Sequence, residues 1–160
     1  LLEVRIAELY DVDEIERICA EHSFETGRDY TAMINSGTRI YLAVDEENDG
    51  KIVGFTGLDK EEWNNTMKVV NMFVVPSYRQ QGVASRLLSE LIADAKQTDY
   101  RCIIAEAPSS SNVKGLYSKH GFRVCGYNDR LYTNNGNEIA YWMSLDLKPE
   151  SAAIRIPVPV

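Results

Sequence analysis

Val74-Val75-Pro76-Ser77-Tyr78-Arg79-Gln80-Gln81-Gly82-Val83-Ala84 is the stretch on which the fold turns, because two kinds of pattern meet in it. Upstream, Met67 to Val75 is almost entirely apolar, as a buried strand would be, and Pro76 stops it by lacking a ladder amide. Downstream, Val83, Ala84, Leu87, Leu88, Leu91, Ile92 and Ala95 recur at helical spacing and predict one strongly amphipathic helix. The first amides of a helix have no acceptor within it, and they carry the positive end of its dipole. A glycine at that point lets the backbone approach a ligand closely. A buried strand running into Gly82 therefore predicts an anion site suited to phosphate or pyrophosphate. Neither the GxxxxGK(S/T) loop nor the GxGxxG fingerprint is present. Such a glycine also serves a plain turn, and this stretch alone leaves both readings standing.

Working outward, Val4 to Leu9 reads as a strand, and Asp11 with Glu14 reads as the capped start of a helix. Val12, Ile15, Ile18 and Cys19 form that helix's apolar stripe. Phe24 to Ser36 reads as a loop and a short helix ending before Gly37. Arg39 to Asp45 and Lys51 to Leu58 pair as a hairpin through Asn48-Asp49-Gly50. Beyond the long helix come a short apolar strand, Arg101 to Ala107, and a helix from Asn112 to His120 closed by Gly121. Two last strands follow, Phe122 to Gly126 and Glu138 to Leu147. The sum is an α/β (α+β) domain with a mixed, mostly antiparallel central sheet flanked by helices. An antiparallel meander comes first and a strand–helix–strand crossover after it.

The 160 residues fit one domain, and a composition 44% hydrophobic and 26% charged excludes disorder as the main state. A net charge of -7 leaves no basic surplus for counterion release, so nucleic acid is not an expected partner. Cys19, Cys102 and Cys125 are odd in number and widely spaced, which suggests neither disulfides nor a metal site. With no long apolar run and no signal-peptide pattern, no membrane is expected and the cytoplasm is the expected location. Residues 148–160 read as a tail, disordered or packed on a partner subunit in a homodimer.

Arg79-Gln80-Gln81-Gly82-Val83-Ala84 resembles the (Q/R)xxGx(G/A) signature of the GNAT superfamily of acetyl-CoA-dependent N-acetyltransferases. Asn112-Val113-Lys114-Gly115-Leu116-Tyr117-Ser118-Lys119-His120-Gly121-Phe122 resembles the family's N-xxx-(L/F)-Y-xxx-GF helix, in the expected order and spacing. The resemblance covers residues 1–147 and implies an N-acetyltransferase with a GNAT-like acyl-CoA fold, using acetyl-CoA and no metal. By it, Gln80, Gln81, Gly82, Val83, Ala84 and Ser85 hold the coenzyme A pyrophosphate. Met72, Phe73 and Val74, on a strand splayed by a bulge at its end, offer backbone groups to the pantetheine arm. Pantetheine carries two amides, so it can complete a sheet edge as a peptide would. Asn112 contacts the cofactor by the same resemblance, although asparagine also suits a helix N-cap. Ala84 stands where many relatives have glycine.

The reaction needs a neutral amine, a stabilised oxyanion and a proton for the leaving thiolate. Tyr117 matches the family tyrosine that supplies the proton, and a phenol keeps its proton at neutral pH. The amide of Phe73 or Val74 is expected at the oxyanion. Glu106 ends an apolar strand where some relatives carry a catalytic base, and a strand-end charge reaching solvent is the alternative. Asp59, Glu61 and Glu62 are further carboxylates, able to act as base or to bind a cation. Phe24 to Ser36, Trp63 to Thr66 and Tyr127 to Asn137 match the family's substrate-contacting segments. Within Gly126 to Tyr132 and Glu138 to Trp142 there is a faint similarity to streptothricin-type and bacterial protein N-terminal acetyltransferases. Asp129, Tyr132 and Trp142 offer an amine pocket, or core packing. The expected acceptor is a small cationic amine or a peptide N-terminus, attacking directly in a ternary complex. A silent acyl-CoA-binding domain is the rival reading.

Overall fold

Strand β4, Thr66–Val74, sits at the centre of the sheet in a computed structural model that describes residues 1–148. The other strands are β1 (Leu2–Ile6), β2 (Arg39–Asp45), β3 (Lys51–Glu61), β5 (Cys102–Pro108), β6 (Arg123–Asn128) and β7 (Ala140–Asp146). They form one seven-stranded sheet in the order β1-β2-β3-β4-β5-β7-β6. Every neighbouring pair is antiparallel except β4 and β5, which the long helix joins as a crossover. The helices are α1 (Val12–Glu21), α2 (Tyr30–Asn35), α3 (Val83–Lys96) and α4 (Val113–Lys119). The mixed, mostly antiparallel α+β architecture is the one the pattern predicts. The tail from 149 onward lies outside the described residues.

The alternation of β2 decides how the two faces are filled. Ile40, Leu42 and Val44 join Ile15, Ile18, Phe55 and Phe73 in a core beneath α1 and α2. Tyr41 and Ala43 turn the other way, into a core with Leu87, Leu88, Leu91, Ile103 and Tyr117 beneath α3 and α4. The sheet is therefore covered on both faces, which is why its central strands read as continuous apolar runs. Strand β6 is an edge strand with Arg123, Val124 and Cys125 exposed, because β7 returns between it and β5.

Several boundaries differ from the sequence reading; β3 runs on to Glu61 and β6 to Asn128. Strand β1 stops at Ile6, and Leu9–Asp11 forms a 3₁₀ turn instead of extending it. Asp11 does not cap α1 with its side chain. Its carboxylate is buried, accepts from the Glu8 amide at 2.8 Å and pairs with Arg5 at 2.7 Å, so tertiary charge pairing overrides the local cap.

Candidate active site

The β4–β5 ladder contains only three residue pairs: Thr66 with Cys102, Met67 with Ile103 and Lys68 with Ile104. Beyond Lys68 the two strands part, and β5 continues on β7 as far as Pro108 opposite Ala140. The cause lies at Val70. Asn71 faces Gly57 while Val69 faces Leu58, so Val70 is the extra residue of a bulge that bends β4. A bulge was expected at the strand's end; it stands four residues earlier. Asn71 repairs the broken ladder. Its Oδ1 accepts from the Gly57 amide at 3.0 Å, its carbonyl accepts from Thr56 Oγ1 at 2.6 Å, and its Nδ2 donates to the Tyr30 hydroxyl at 3.2 Å.

The Val75 amide donates to the Val53 carbonyl at 2.8 Å, which sets the backbone parity of β4. Met72 and Val74 turn their amides and carbonyls to the open side of the fork. Phe73 turns its own to β3, where its carbonyl lies against Gly54. Of the three strand residues expected to meet a pantetheine arm, Met72 and Val74 have the right direction and Phe73 does not. The Val74 carbonyl already accepts from Arg79 Nε at 2.9 Å, so Val74 offers its amide. Arg79 also lies over the Phe73 ring, 5.7 Å from its centroid.

Gln80 and Gly82 both have positive φ, 60° and 81°, and Gly82 is the residue before α3. A side chain built at Gly82 would meet nothing within 4 Å, so the glycine answers to backbone conformation and leaves an open approach. The first bond inside α3 runs from the Arg86 amide to the Gly82 carbonyl, leaving the amides of Val83, Ala84 and Ser85 as the outward-facing ones. Gln81 donates to the Ser77 carbonyl at 3.0 Å and braces the turn. Ser85 Oγ lies 2.8 Å from His120 Nε2, tying the start of α3 to the end of α4. Burial, and Lys119 beside it, hold the His120 imidazole below its usual pKa. The amide row at α3 and the open edge of β4 suit a phosphate followed by an amide-bearing arm.

Asn112 stands at the N-cap position of α4, yet its side chain makes no capping bond. The loop before it is held from across the sheet: Glu138 accepts from Ser109 Oγ at 2.6 Å and from the Ser110 amide at 2.9 Å. Those bonds, from Ser109 first and then Ser110, bring the Glu138 carboxyl down to about 2.

Tyr117 is 2% exposed and packs against Phe122 at a ring-centroid distance of 5.2 Å. Its hydroxyl has no hydrogen-bond partner among the described residues. Burial raises its pKa well above that of an ordinary phenol, and the nearby Tyr132, Glu106 and Glu25 add to the effect. The phenol therefore keeps its proton at neutral pH.

Glu106 does not stand alone among apolar neighbours as the sequence suggests. It pairs with Lys68 Nζ at 2.8 Å, opposite Trp142 of β7. Glu25 of the α1–α2 loop pairs with Arg28, whose guanidinium also donates to the Val70 carbonyl at 3.4 Å. Tyr132 and Trp142 are partly exposed beside this cluster, whereas Asp129 pairs with Arg130. Asp59 lies across from Lys68 on β3 and accepts from Thr38; Glu62 accepts from Tyr100 at 2.6 Å. Glu61 faces Thr66 at the closed end of the fork, away from Tyr117. Sequence reasoning missed Lys68, Glu25 and Arg28. Only Lys68 left a signal, as a charge interrupting an apolar run.

A strand fork with an open backbone edge, a helix start and a buried phenol is the arrangement that the resemblance to acetyltransferases implies. The chain belongs to the GNAT acetyltransferase family: the model of the acetyltransferase (GNAT) domain matches residues 36–124. It is 26% identical over 150 residues to a Bacillus subtilis (strain 168) protein assigned as a ribosomal protein bS18-alanine N-acetyltransferase, covering 89% of this chain and 95% of that one. It is 25% identical over 123 residues to the streptothricin acetyltransferase of Streptomyces lavendulae, covering 74% of this chain and 64% of that one. In fold it resembles the Escherichia coli ribosomal-protein-S18-alanine N-acetyltransferase, with a TM-score of 0.78 at 21% identity over 98% of this chain and 100% of that one. It equally resembles a Sinorhizobium meliloti phosphinothricin acetyltransferase in complex with acetyl-CoA, with a TM-score of 0.78 at 18% identity over 96% and 93% of the two chains.

Proposed function

We propose that this chain, through residues 1–147, transfers an acetyl group from acetyl-CoA to a primary amine held beside it in a ternary complex. The observation that carries this reading is the buried Tyr117 hydroxyl, without a hydrogen-bond partner among the described residues, on the helix packed against β5, the strand that parts from the open edge of β4 at Met72 and Val74. Acetyl-CoA, when bound, supplies a thioester carbonyl open to attack by an amine. The amides of Val83, Ala84 and Ser85, with Gln80, Gln81 and Gly82 shaping the turn, hold its pyrophosphate. Met72 completes hydrogen bonds to its pantetheine amides, Val74 keeps its amide for the reacting carbonyl, and Asn112 flanks the same path.

The amine arrives as an ammonium and must lose a proton before it can attack. Glu106 accepts that proton, directly or through a water, and passes it to solvent. The Val74 amide donates to the oxygen on which negative charge develops. Tyr117 donates its hydroxyl proton to the leaving sulfur, and the second proton shed by the nitrogen restores the phenol. One C–N bond forms, one C–S bond breaks, and the thiol leaves protonated.

The acceptor is a small cationic amine or a peptide N-terminus, a reading supported by the likeness to a ribosomal protein bS18-alanine N-acetyltransferase and a streptothricin acetyltransferase. Thiol release from acetyl-CoA, measured with an alanine-initiated peptide, streptothricin and simple amines, tests the reading. Tyr117→Phe is expected to lower kcat by about a hundredfold or more while acetyl-CoA binding stays unchanged. Unchanged turnover would remove Tyr117 from its role. Acetyl-CoA binding without turnover on any amine would mark a binding module instead.

A further inference from the structure

Lys68 and Glu106 bridge the fork at the point where it opens. Lys68 belongs to the last residue pair shared by β4 and β5, and Glu106 stands two residues further along β5 on the same face. Both carboxylates close enough to act on the Tyr117 hydroxyl already carry a cation from the chain itself: Arg28 on Glu25 and Lys68 on Glu106. An ammonium entering here meets neither of them bare. To settle on one, it displaces a built-in partner.

The two partners are held unequally. The Arg28 guanidinium is shared between Glu25 and the Val70 carbonyl, and its side chain is 35% exposed. Lys68 is 51% exposed and reaches Glu106 through one contact from a flexible, strongly hydrated ammonium. Lys68 also has a second carboxylate within its own row. Asp59 is its register partner across β3 and β4, so the two share a face of the sheet. Lys68 is the cation that gives way.

We propose that Lys68 is a built-in stand-in for the substrate's ammonium group. An incoming primary ammonium takes its place on Glu106 while Lys68 turns towards Asp59, which makes Lys68 a specificity-determining residue that sets the affinity for the amine. This rests on the reading of the fork as an acetyl-acceptor site. The exchange swaps one positive charge for another, so it suits a singly charged amine; a polycation finds neither Glu25 nor Glu106 free. Tyr117 and Tyr132 face the same carboxylate from α4 and from the β6–β7 connection, and neither carries charge at neutral pH.

The test compares wild type with Lys68→Met, Lys68→Arg and Asp59→Asn, using L-alaninamide as the probe amine and saturating acetyl-CoA. Lys68→Met is expected to lower the KM for alaninamide about two- to fivefold, the range set by removing one solvated competing ion pair. The KM for acetyl-CoA should not move. Lys68→Arg should stay at or above the wild-type KM, and Asp59→Asn should raise it by leaving Lys68 on Glu106. A purely structural lysine predicts a KM that is unchanged or higher in Lys68→Met, and that result overturns the proposal. A fall shared by Lys68→Arg overturns it too. Alaninamide binding is followed in parallel by NMR at the labelled Glu106 carboxyl. If wild type turns over no amine, the reading of the site fails; tighter alaninamide binding by Lys68→Met then supports the exchange, and binding no tighter overturns it.

Discussion

Asp11 is a buried carboxylate whose charge is kept by one guanidinium. Arg5 binds it through both oxygens, at 2.7 and 2.9 Å, and the Glu8 amide adds a third bond. The Arg5 hydrogen bond is the main reason the Asp11 carboxyl titrates below the usual carboxylate range. Its folded pKa is lowered, so its contribution is complete above the unfolded value of about 3.9 and is lost as pH falls through the folded value. Asp11→Asn is expected to cost about 2 kcal/mol at pH 7, since it leaves Arg5 without its charge partner. Urea denaturation of both proteins at pH 7 and pH 3 checks this, and the gap should narrow at the lower pH. Arg5→Met separates the guanidinium from the Glu8 amide: if capping alone held Asp11, that variant would leave the stability unchanged. In the fork the residue-scale lesson is similar. Tyr117 was legible from its motif, but the partners of Glu106 were not, because ion pairing depends on which side chains the sheet brings face to face.

Helix α3 is the element that joins the core to the turn at Gly82. Leu87, Leu88 and Leu91 are fully buried against β2, β3 and β4, and Tyr41 donates to Asp94 at 2.9 Å on the same helix. Leu88→Ala is expected to cost about 2–5 kcal/mol, from lost transfer energy and the cavity left behind. Gly54 shows why the helix can lie so close. A Cβ there would sit 2.9 Å from the Phe73 carbonyl oxygen and 3.3 Å from both Leu87 and Val83. Gly54→Ala therefore pushes on β4 beside its open edge. It should weaken acetyl-CoA binding at a temperature where the variant is still folded, whereas Leu88→Ala should lower the denaturation midpoint first. Calorimetric acetyl-CoA titration beside a thermal melt separates the two. The apolar stripe of α3 could be read from spacing alone. The Val70 bulge could not, since Asn71 stabilises it through Gly57, Thr56 and Tyr30, which come from two other parts of the chain.

At the scale of the molecule, a net charge of -7 must coexist with a site for a polyanionic donor. On the proposed reading the attraction is local, in the helix start and the free edge, so the wider field opposes approach. At about 0.01 M salt that field reaches roughly 30 Å, and at about 0.15 M it reaches only 8 Å. The association rate of acetyl-CoA is therefore expected to rise with salt over this range when followed by stopped-flow. A fall would mean that Arg79, Arg86 and the α4 lysines outweigh the rest of the surface.

By itself the sequence determined the element types, the buried strands at the centre of the sheet and the glycine turn. Each of these is written in periodicity, turn chemistry or motif spacing, which act over a few residues. The tertiary structure alone decided where β4 and β5 part, which way Phe73 turns, that β7 lies inside β6, and that Glu106 already holds Lys68. Those outcomes depend on register between strands far apart in the chain. Shifting a strand by one residue changes every contact without changing its own pattern.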